Sequence, residues 1–426
     1  MLDIVYIRNN PEEAAKKLAK RGLTIDFSDF LEKDAARRAL MHTTEKLKAE
    51  RNKKSALIPK LKKEGQDTTS LLDELKALSD NIQSNDETID AMQKEQNEFL
   101  EGLPNMPAED VVAGGKEANE IVSSFGEQRI FDFEPRHHVD LLTGTGMIDY
   151  ERGAKLSGSG YWIYTNLGAR LEWALINYFV DAHLADGYEM VMPPYLLNYD
   201  SGYSAGQFPK FLGDIFEIRS NEDSFRFLLP TAETALVNYH RDEIMAEEDL
   251  PHKLFAYTAC FRREAGSHGA NERGMIRGHQ FNKVEMFQFS KPEDSEDALD
   301  ELVRKACTLV EDLGLHYNLV KLAAGDVGAA MKKTYDVEIW IPSMGGYKEV
   351  SSVSNAGDYQ ARRGNVRFRR TEDGKVEFCD TLNGSGLATS RILPAIAEQN
   401  QQADGSIVVP EVLRPYMSGI DVIRPL

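Results

Sequence analysis

Between about residue 28 and residue 101 the chain has no proline except Pro59 and almost no glycine, while charged residues recur throughout. In the second half of this stretch Leu71, Leu75, Leu78, Ile82, Asn85, Ile89, Met92, Gln96 and Phe99 follow alternating steps of four and three. That is a coiled-coil seam with two polar interruptions. The first half is less regular: Leu40, Leu47, Ile58 and Leu61 fit one seam, with Arg37, Thr44, Arg51 and Lys54 at its intervening positions. The segment KKEGQDTTS breaks the pattern, which predicts two antiparallel helices joined near Gly65, an arm spanning about residues 28–100.

A helical pair of this kind buries one narrow seam and leaves most of its surface in water. Its charge is divided: residues 31–64 hold eleven Lys or Arg against five Asp or Glu, whereas residues 65–110 hold two against twelve. Two readings follow, and the sequence leaves both open. The opposite charges face each other within the pair or a dimer of it, or the basic helix tracks a phosphate backbone. A formal net charge of −19 argues against wholesale adsorption to nucleic acid or an acidic membrane, yet it leaves room for a local basic face.

Prolines and glycines in LEGLPNMPAEDVVAGGKEANE end the seam and mark a linker, so residues 1–110 and 111–426 are expected as two domains. Past it, YWIY, FRFLLP, KLFAYTACF, VEMFQF and YDVEIWIP are short, aromatic and β-branched, as strands are. Helical spacing returns in GARLEWALINYFVDAHLADG and in residues 293–314. Strands far outnumber crossover helices between residues 225 and 390, which predicts an α+β fold on a mixed, mainly antiparallel sheet. Cys260, Cys307 and Cys379 have no CxxC spacing and cannot all pair, which favours a reducing compartment and offers no zinc motif. The amino terminus lacks an apolar core of signal-peptide length and no window supplies a membrane span, so a cytoplasmic location is expected.

The segment FRREAGSHGANERGMIRGHQFNKVE, residues 261–285, sets charges of both signs around a glycine-rich middle, between two expected strands. The connection is too long for a tight hairpin and can fold back over something bound on the sheet. Arg262 can meet phosphate oxygens with paired donors, Glu264 can accept from an amine, and Phe281 can offer a ring to a planar base. Together they suit a nucleotide. Each also has an ordinary alternative, an ion pair for Arg262 with Glu264 and core for Phe281, and a nucleotide-binding transferase with no RNA partner fits the same physics.

FRREAGS…RGHQFNKVEMFQF resembles motif 2 of the class II aminoacyl-tRNA synthetases in its seryl form. GYEMVMPP, residues 187–194, resembles motif 1; NGSGLATSRILPAIAE, residues 383–398, resembles motif 3. LLPTAE at 228–233 and EVSSVSNAGDYQARR at 349–363 are similar to two further elements of the bacterial-type seryl-tRNA synthetases. Five ordered motifs and the amino-terminal arm extend the resemblance over nearly the whole chain.

The resemblance implies a class II catalytic domain that uses ATP to activate L-serine as seryl-adenylate and then loads tRNA(Ser), with tRNA(Sec) as a further candidate. It implies Arg262 and Arg391 as the catalytic clamps on the triphosphate and carboxylate. It assigns ATP to Arg262, Arg263, Glu264, Phe281, Arg391 and the run Glu349, Val350, Ser351 and Ser352, with Mg2+ on Glu349 and Ser352. Serine falls to Thr231, Ala232, Glu233, Arg262, Glu285, Asn383 and Ser385. A homodimer built through motif 1 is implied, as is an arm that reaches tRNA on the other subunit; Lys53, Lys54, Lys62 and Lys63 are the candidate phosphate contacts. Two readings compete with this one: a serine-activating homologue that loads a carrier protein, and a catalytically silent RNA-binding homologue. Asp380 and the arginine-rich segment 362–378, expected as a solvated hairpin around Asp373 and Gly374 or else as part of a tRNA path, have no assigned role.

Overall fold

The computed structural model describes residues 1–219, 224–264 and 274–426, so the middle of the glycine-rich loop lies outside the described residues. The chain divides into two compact units, one of Asp3–Lys16 and Thr24–Leu103, the other of Met1–Leu2, Lys17–Leu23 and Pro104–Leu426.

In the smaller unit α1, Ser28–Lys63, and α2, Thr69–Gly102, form the expected helical pair. At 36 residues α1 is about 54 Å long. Ile82 and Gln96 are buried along α2, and Asp34 and Thr44 along α1. The seam departs from the expected register at its root. Leu100 takes the buried position, while Phe99 is 38% exposed and stacks on Phe30 at 4.9 Å. The buried Asp34 carboxylate accepts from Arg8 Nε at 2.6 Å, Arg38 Nε at 3.0 Å and Gln96 Nε2 at 3.0 Å. Hydrogen bonds of this kind let a charge sit inside a helical seam. Farther along, Lys48 meets Asp86 at 3.0 Å and Lys54 meets Glu74 at 2.9 Å, so part of the opposite charge does face inward across the pair.

The larger unit is built on an eight-stranded sheet. Its strands in chain order are β1 (Glu120–Phe125), β2 (Glu189–Met190), β3 (His252–Phe261), β4 (Gln280–Ser290), β5 (Tyr317–Lys321), β6 (Lys333–Ile341), β7 (Gly346–Gly357) and β8 (Asp380–Ala388). The spatial order is β1-β5-β6-β7-β8-β4-β3-β2, antiparallel except where β2 meets β3. Three helices, α3 (Asn166–Ala185), α4 (Ser295–Asp312) and α5 (Thr389–Gln399), contribute to the main core. Alternation along β4 sends Val284 and Met286 into that core, and Phe287 and Phe289 into a second cluster with Leu254 and Ala256. The sheet thus packs apolar side chains on both faces, and on the face of Phe287 and Phe289 residues 283 and 285 open onto a cleft.

YWIY contributes only the two-residue strand Ile163–Tyr164, and FRFLLP contributes Arg226–Leu228 to a separate three-stranded sheet. Asp380 is buried and paired with Lys332 at 3.3 Å beside the start of α4. The arginine-rich segment does form a hairpin, Arg367–Arg369 against Val376–Phe378, with Gly374 at φ 72° in the turn. Its arginines are largely spent within the fold: Arg363 donates to the Phe208 carbonyl at 2.6 Å, Arg362 pairs with Asp358 at 2.7 Å, and Arg370 pairs with Glu247, Glu293 and Glu377.

Candidate active site

The cleft, about 460 Å³, lies on one face of the sheet, over alternate residues of β4, β6 and β8 and over β7. Residues 281, 283 and 285 of β4 share one face by strand alternation, and all three line the cleft or the slot that continues it. At its deepest point Glu233 and Glu285 are 8% and 1% exposed. Asn383 Nδ2 lies 3.4 Å from Glu233 Oε2 and 3.3 Å from Glu285 Oε1, bridging the two acids. Gln360 Nε2 donates to Glu233 Oε1 at 2.7 Å and is itself held by the Thr381 hydroxyl at 2.7 Å. Burial and the charge of Glu285 push the Glu233 carboxyl up to about 7. Lys283 contacts Glu285 and donates to Thr231 Oγ1 at 2.7 Å, while Ser385 lines the same pocket. Two acids, an amide and two hydroxyls around a small space suit a compact ligand bearing an ammonium and a hydroxyl.

Next to it is a flat slot. The Arg262 guanidinium lies 5.3 Å above the Phe281 ring and its Nε donates to the Pro230 carbonyl at 3.2 Å. Arg391, two residues into α5, also lines the slot and donates to the carbonyls of Glu349 at 2.5 Å and Ile276 at 3.2 Å. Glu264 has φ 49° and accepts from Arg277 Nη1 at 2.5 Å. Arginines, an aromatic face and a carboxylate gather here within reach of one planar, anionic ligand.

The third part of the cleft is a patch of oxygens on β6 and β7. Residues three apart on a regular strand face opposite ways, but the register shifts between Val337 and Glu338, pairing Ser352 with Asp336 and Glu349 with Glu338. All four residues line the cleft. Asp336 Oδ1 is buried with no hydrogen-bond partner among the described residues. Burial and the nearby Glu349 charge hold the Asp336 carboxyl well above the usual range. A hard divalent cation would satisfy the orphaned oxygen and neutralise the crowded acids, so these residues fit Mg2+.

The expected site residues do not all arrive here. Thr231, Glu233, Arg262, Glu264, Phe281, Glu285, Glu349, Val350, Ser352, Asn383, Ser385 and Arg391 line the cleft or slot. Ala232 packs into the apolar cluster behind it, Ser351 turns away to donate to the Ser385 carbonyl at 2.6 Å, and Arg263 is exposed and bonds the Gly213 carbonyl at 3.2 Å. On the arm, Lys53, Lys62 and Lys63 are exposed, whereas Lys54 pairs with Glu50 and Glu74. Lys283, Arg277, Asp336 and Gln360 were missed. Lys283 had a signal, since it stands two residues from both Phe281 and Glu285 on one strand and so shares their face.

Comparison with known proteins gives consistent matches. Residues 1–107 match the profile of the seryl-tRNA synthetase N-terminal domain, and residues 216–400 that of the tRNA synthetase class II core domain (G, H, P, S and T). Serine–tRNA ligase 2 of Clostridium acetobutylicum is 56% identical over 98% of this chain and 99% of its own length. The serine–tRNA ligase of Nitratidesulfovibrio vulgaris Hildenborough is 47% identical over 99% of this chain and 100% of its own length. The crystal structure of seryl-tRNA synthetase from Pyrococcus horikoshii complexed with ATP superposes with a TM-score of 0.92 at 33% identity, covering all of both chains.

Proposed function

The chain belongs to the seryl-tRNA synthetases, and from that premise we propose how its cleft activates L-serine with ATP and charges tRNA(Ser). One observation carries the assignment of parts: a deep pocket of Glu233, Glu285 and Asn383 opens directly onto the slot between Arg262, Phe281 and Arg391.

Serine lies with its ammonium among Glu233, Asn383 and Thr231, and its hydroxyl toward Glu285 and Ser385. A pocket built to bond a hydroxyl rejects alanine strongly, because alanine leaves buried polar groups unpaired; threonine is excluded by volume. The adenine stacks on Phe281 with Glu264 toward its amino group, which requires Arg277 to yield part of its pairing. Arg262 holds the α-phosphate beside the serine carboxylate, and Arg391 meets the triphosphate from the other side. A carboxylate oxygen attacks the α-phosphorus, the bond to pyrophosphate breaks, and the charge that develops on the phosphoryl oxygens falls between fixed guanidinium groups. Glu349, Ser352 and Asp336 would hold Mg2+, which supplies neutralisation and orientation of the triphosphate when bound. No side chain serves as a nucleophile. In the second step the terminal ribose hydroxyl of tRNA attacks the activated carbonyl carbon and AMP leaves.

The arm of residues 28–100 serves tRNA through Lys53, Lys62 and Lys63, and the unit beginning near residue 111 carries the chemistry. A homodimer, tRNA(Sec) as a second substrate and a cytoplasmic location complete the reading; among the described residues no helix is long and apolar enough to cross a membrane. Serine-dependent pyrophosphate exchange, compared with transfer to tRNA and to carrier proteins, tests it. Exchange without tRNA charging would place the chain with the carrier-loading homologues.

A further inference from the structure

We propose that Glu172, on the helix preceding motif 1, is a positioning residue that sets the width of the nucleotide slot by joining the strand bearing Phe281 to the helix start bearing Arg391. Glu172 is 4% exposed and lies on α3, behind the sheet and away from the cleft. Its Oε1 accepts from Asn282 Nδ2 at 2.8 Å and from the Thr389 hydroxyl at 2.6 Å. Asn282 is the residue between Phe281 and Lys283 on β4, and alternation turns it away from the cleft those two face. Its Oδ1 is held by the Tyr257 hydroxyl at 3.3 Å. Thr389 opens α5, two residues before Arg391.

One carboxylate oxygen therefore grips both walls of the slot from behind. The backbone ladder between Lys283 and Ala388 ends at this point, so it does not by itself fix where the helix after it begins. The Tyr164 hydroxyl lies beside this buried carboxylate. An amide can take the place of this acid: its oxygen keeps both donors and its nitrogen faces Tyr164. A thioether of similar size cannot: it strands the Asn282 amide donor and leaves the Thr389 hydroxyl only its longer bond to the Asn282 carbonyl at 3.2 Å.

This inference rests on the proposed slot, so Arg391→Ala is measured in parallel. In serine-dependent pyrophosphate exchange by the full chain, Glu172→Met should raise KM for ATP at least fivefold and KM for serine less than twofold. Glu172→Gln should restore KM for ATP to within twofold of the parent. A Glu172→Met enzyme with an unchanged KM for ATP, whether or not its Tm falls, overturns the proposal, and so does equal loss for both substrates. Should Glu172→Met fail to fold, Thr389→Val removes the hydroxyl that meets both Glu172 and the Asn282 carbonyl and should raise KM for ATP about threefold; no change there also overturns it. Loss of exchange in Arg391→Ala with a normal Glu172→Met refutes the positioning role alone, whereas normal exchange in Arg391→Ala refutes the slot itself.

Discussion

Glu233 ties serine binding to pH in a direction opposite to stability. Burial and the Glu285 charge push its carboxyl from near 4.5 up to about 7. Between those values the folded chain keeps a proton that the unfolded chain has released. Stability therefore falls as pH rises from about 4.5 to about 7, by about 3 kcal/mol in total. Serine binding runs the other way, because the ammonium needs the ionised acid. The ionised fraction climbs from about one tenth at pH 6 to about nine tenths at pH 8, so KM for serine should fall about tenfold over that range. KM for ATP, measured in the same exchange assay, should change little and serves as the internal reference. In Glu233→Gln the pH dependence should vanish. The variant's KM for serine at pH 8 should rise tenfold or more for loss of a charged hydrogen bond, while its thermal midpoint rises above that of the parent. The amide oxygen keeps the bond from Gln360, and Asn383 Nδ2 keeps its bond to Glu285. A flat KM for serine between pH 6 and pH 8, or the same slope in Glu233→Gln, refutes the reasoning.

Arg262→Ala should cut serine-dependent exchange on the order of 100-fold or more with the fold intact, since it removes a fixed charge facing the transition state; near-normal exchange would remove Arg262 from the reaction. Ser385→Ala should lower kcat/KM for serine roughly 3- to 10-fold and leave KM for ATP unchanged, as expected for one short polar group lost from the amino acid pocket. Replacing Lys53, Lys62 and Lys63 together with Gln should weaken tRNA binding and make its salt dependence shallower by a slope of up to roughly 2, with exchange unaffected. Lys54→Gln should instead leave the salt slope alone and lower the thermal stability of the helical pair slightly, because that lysine already meets Glu50 and Glu74.

The kinds of element and the order of the parts are legible in local side-chain patterns. Steps of four and three from Leu71 to Gln96 specify a paired helix, and the aromatic runs from Leu254 to Ile341 specify strands, because both signals are local periods of side-chain direction. Arg262, Phe281 and Arg391 were legible as motif residues without any geometry. Which side chains share a space is set by packing between distant elements. Phe99 yields its seam position to Leu100 because Phe30 offers it a stacking partner from the other helix. Glu349 and Ser352 reach one surface because the ladder to β6 slips by a residue, and that same slip brings Asp336 and Glu338 beside them. Lys54 turns inward and Lys53 outward although the two are adjacent in sequence. Glu172 reads as one more helical glutamate until Asn282, 110 residues away, and Thr389, 217 away, close on it. The direction of a side chain along its own element is set by neighbours a few residues off. Its burial, partners and proton affinity are set by residues that only the register between distant strands and helices brings within hydrogen-bond reach.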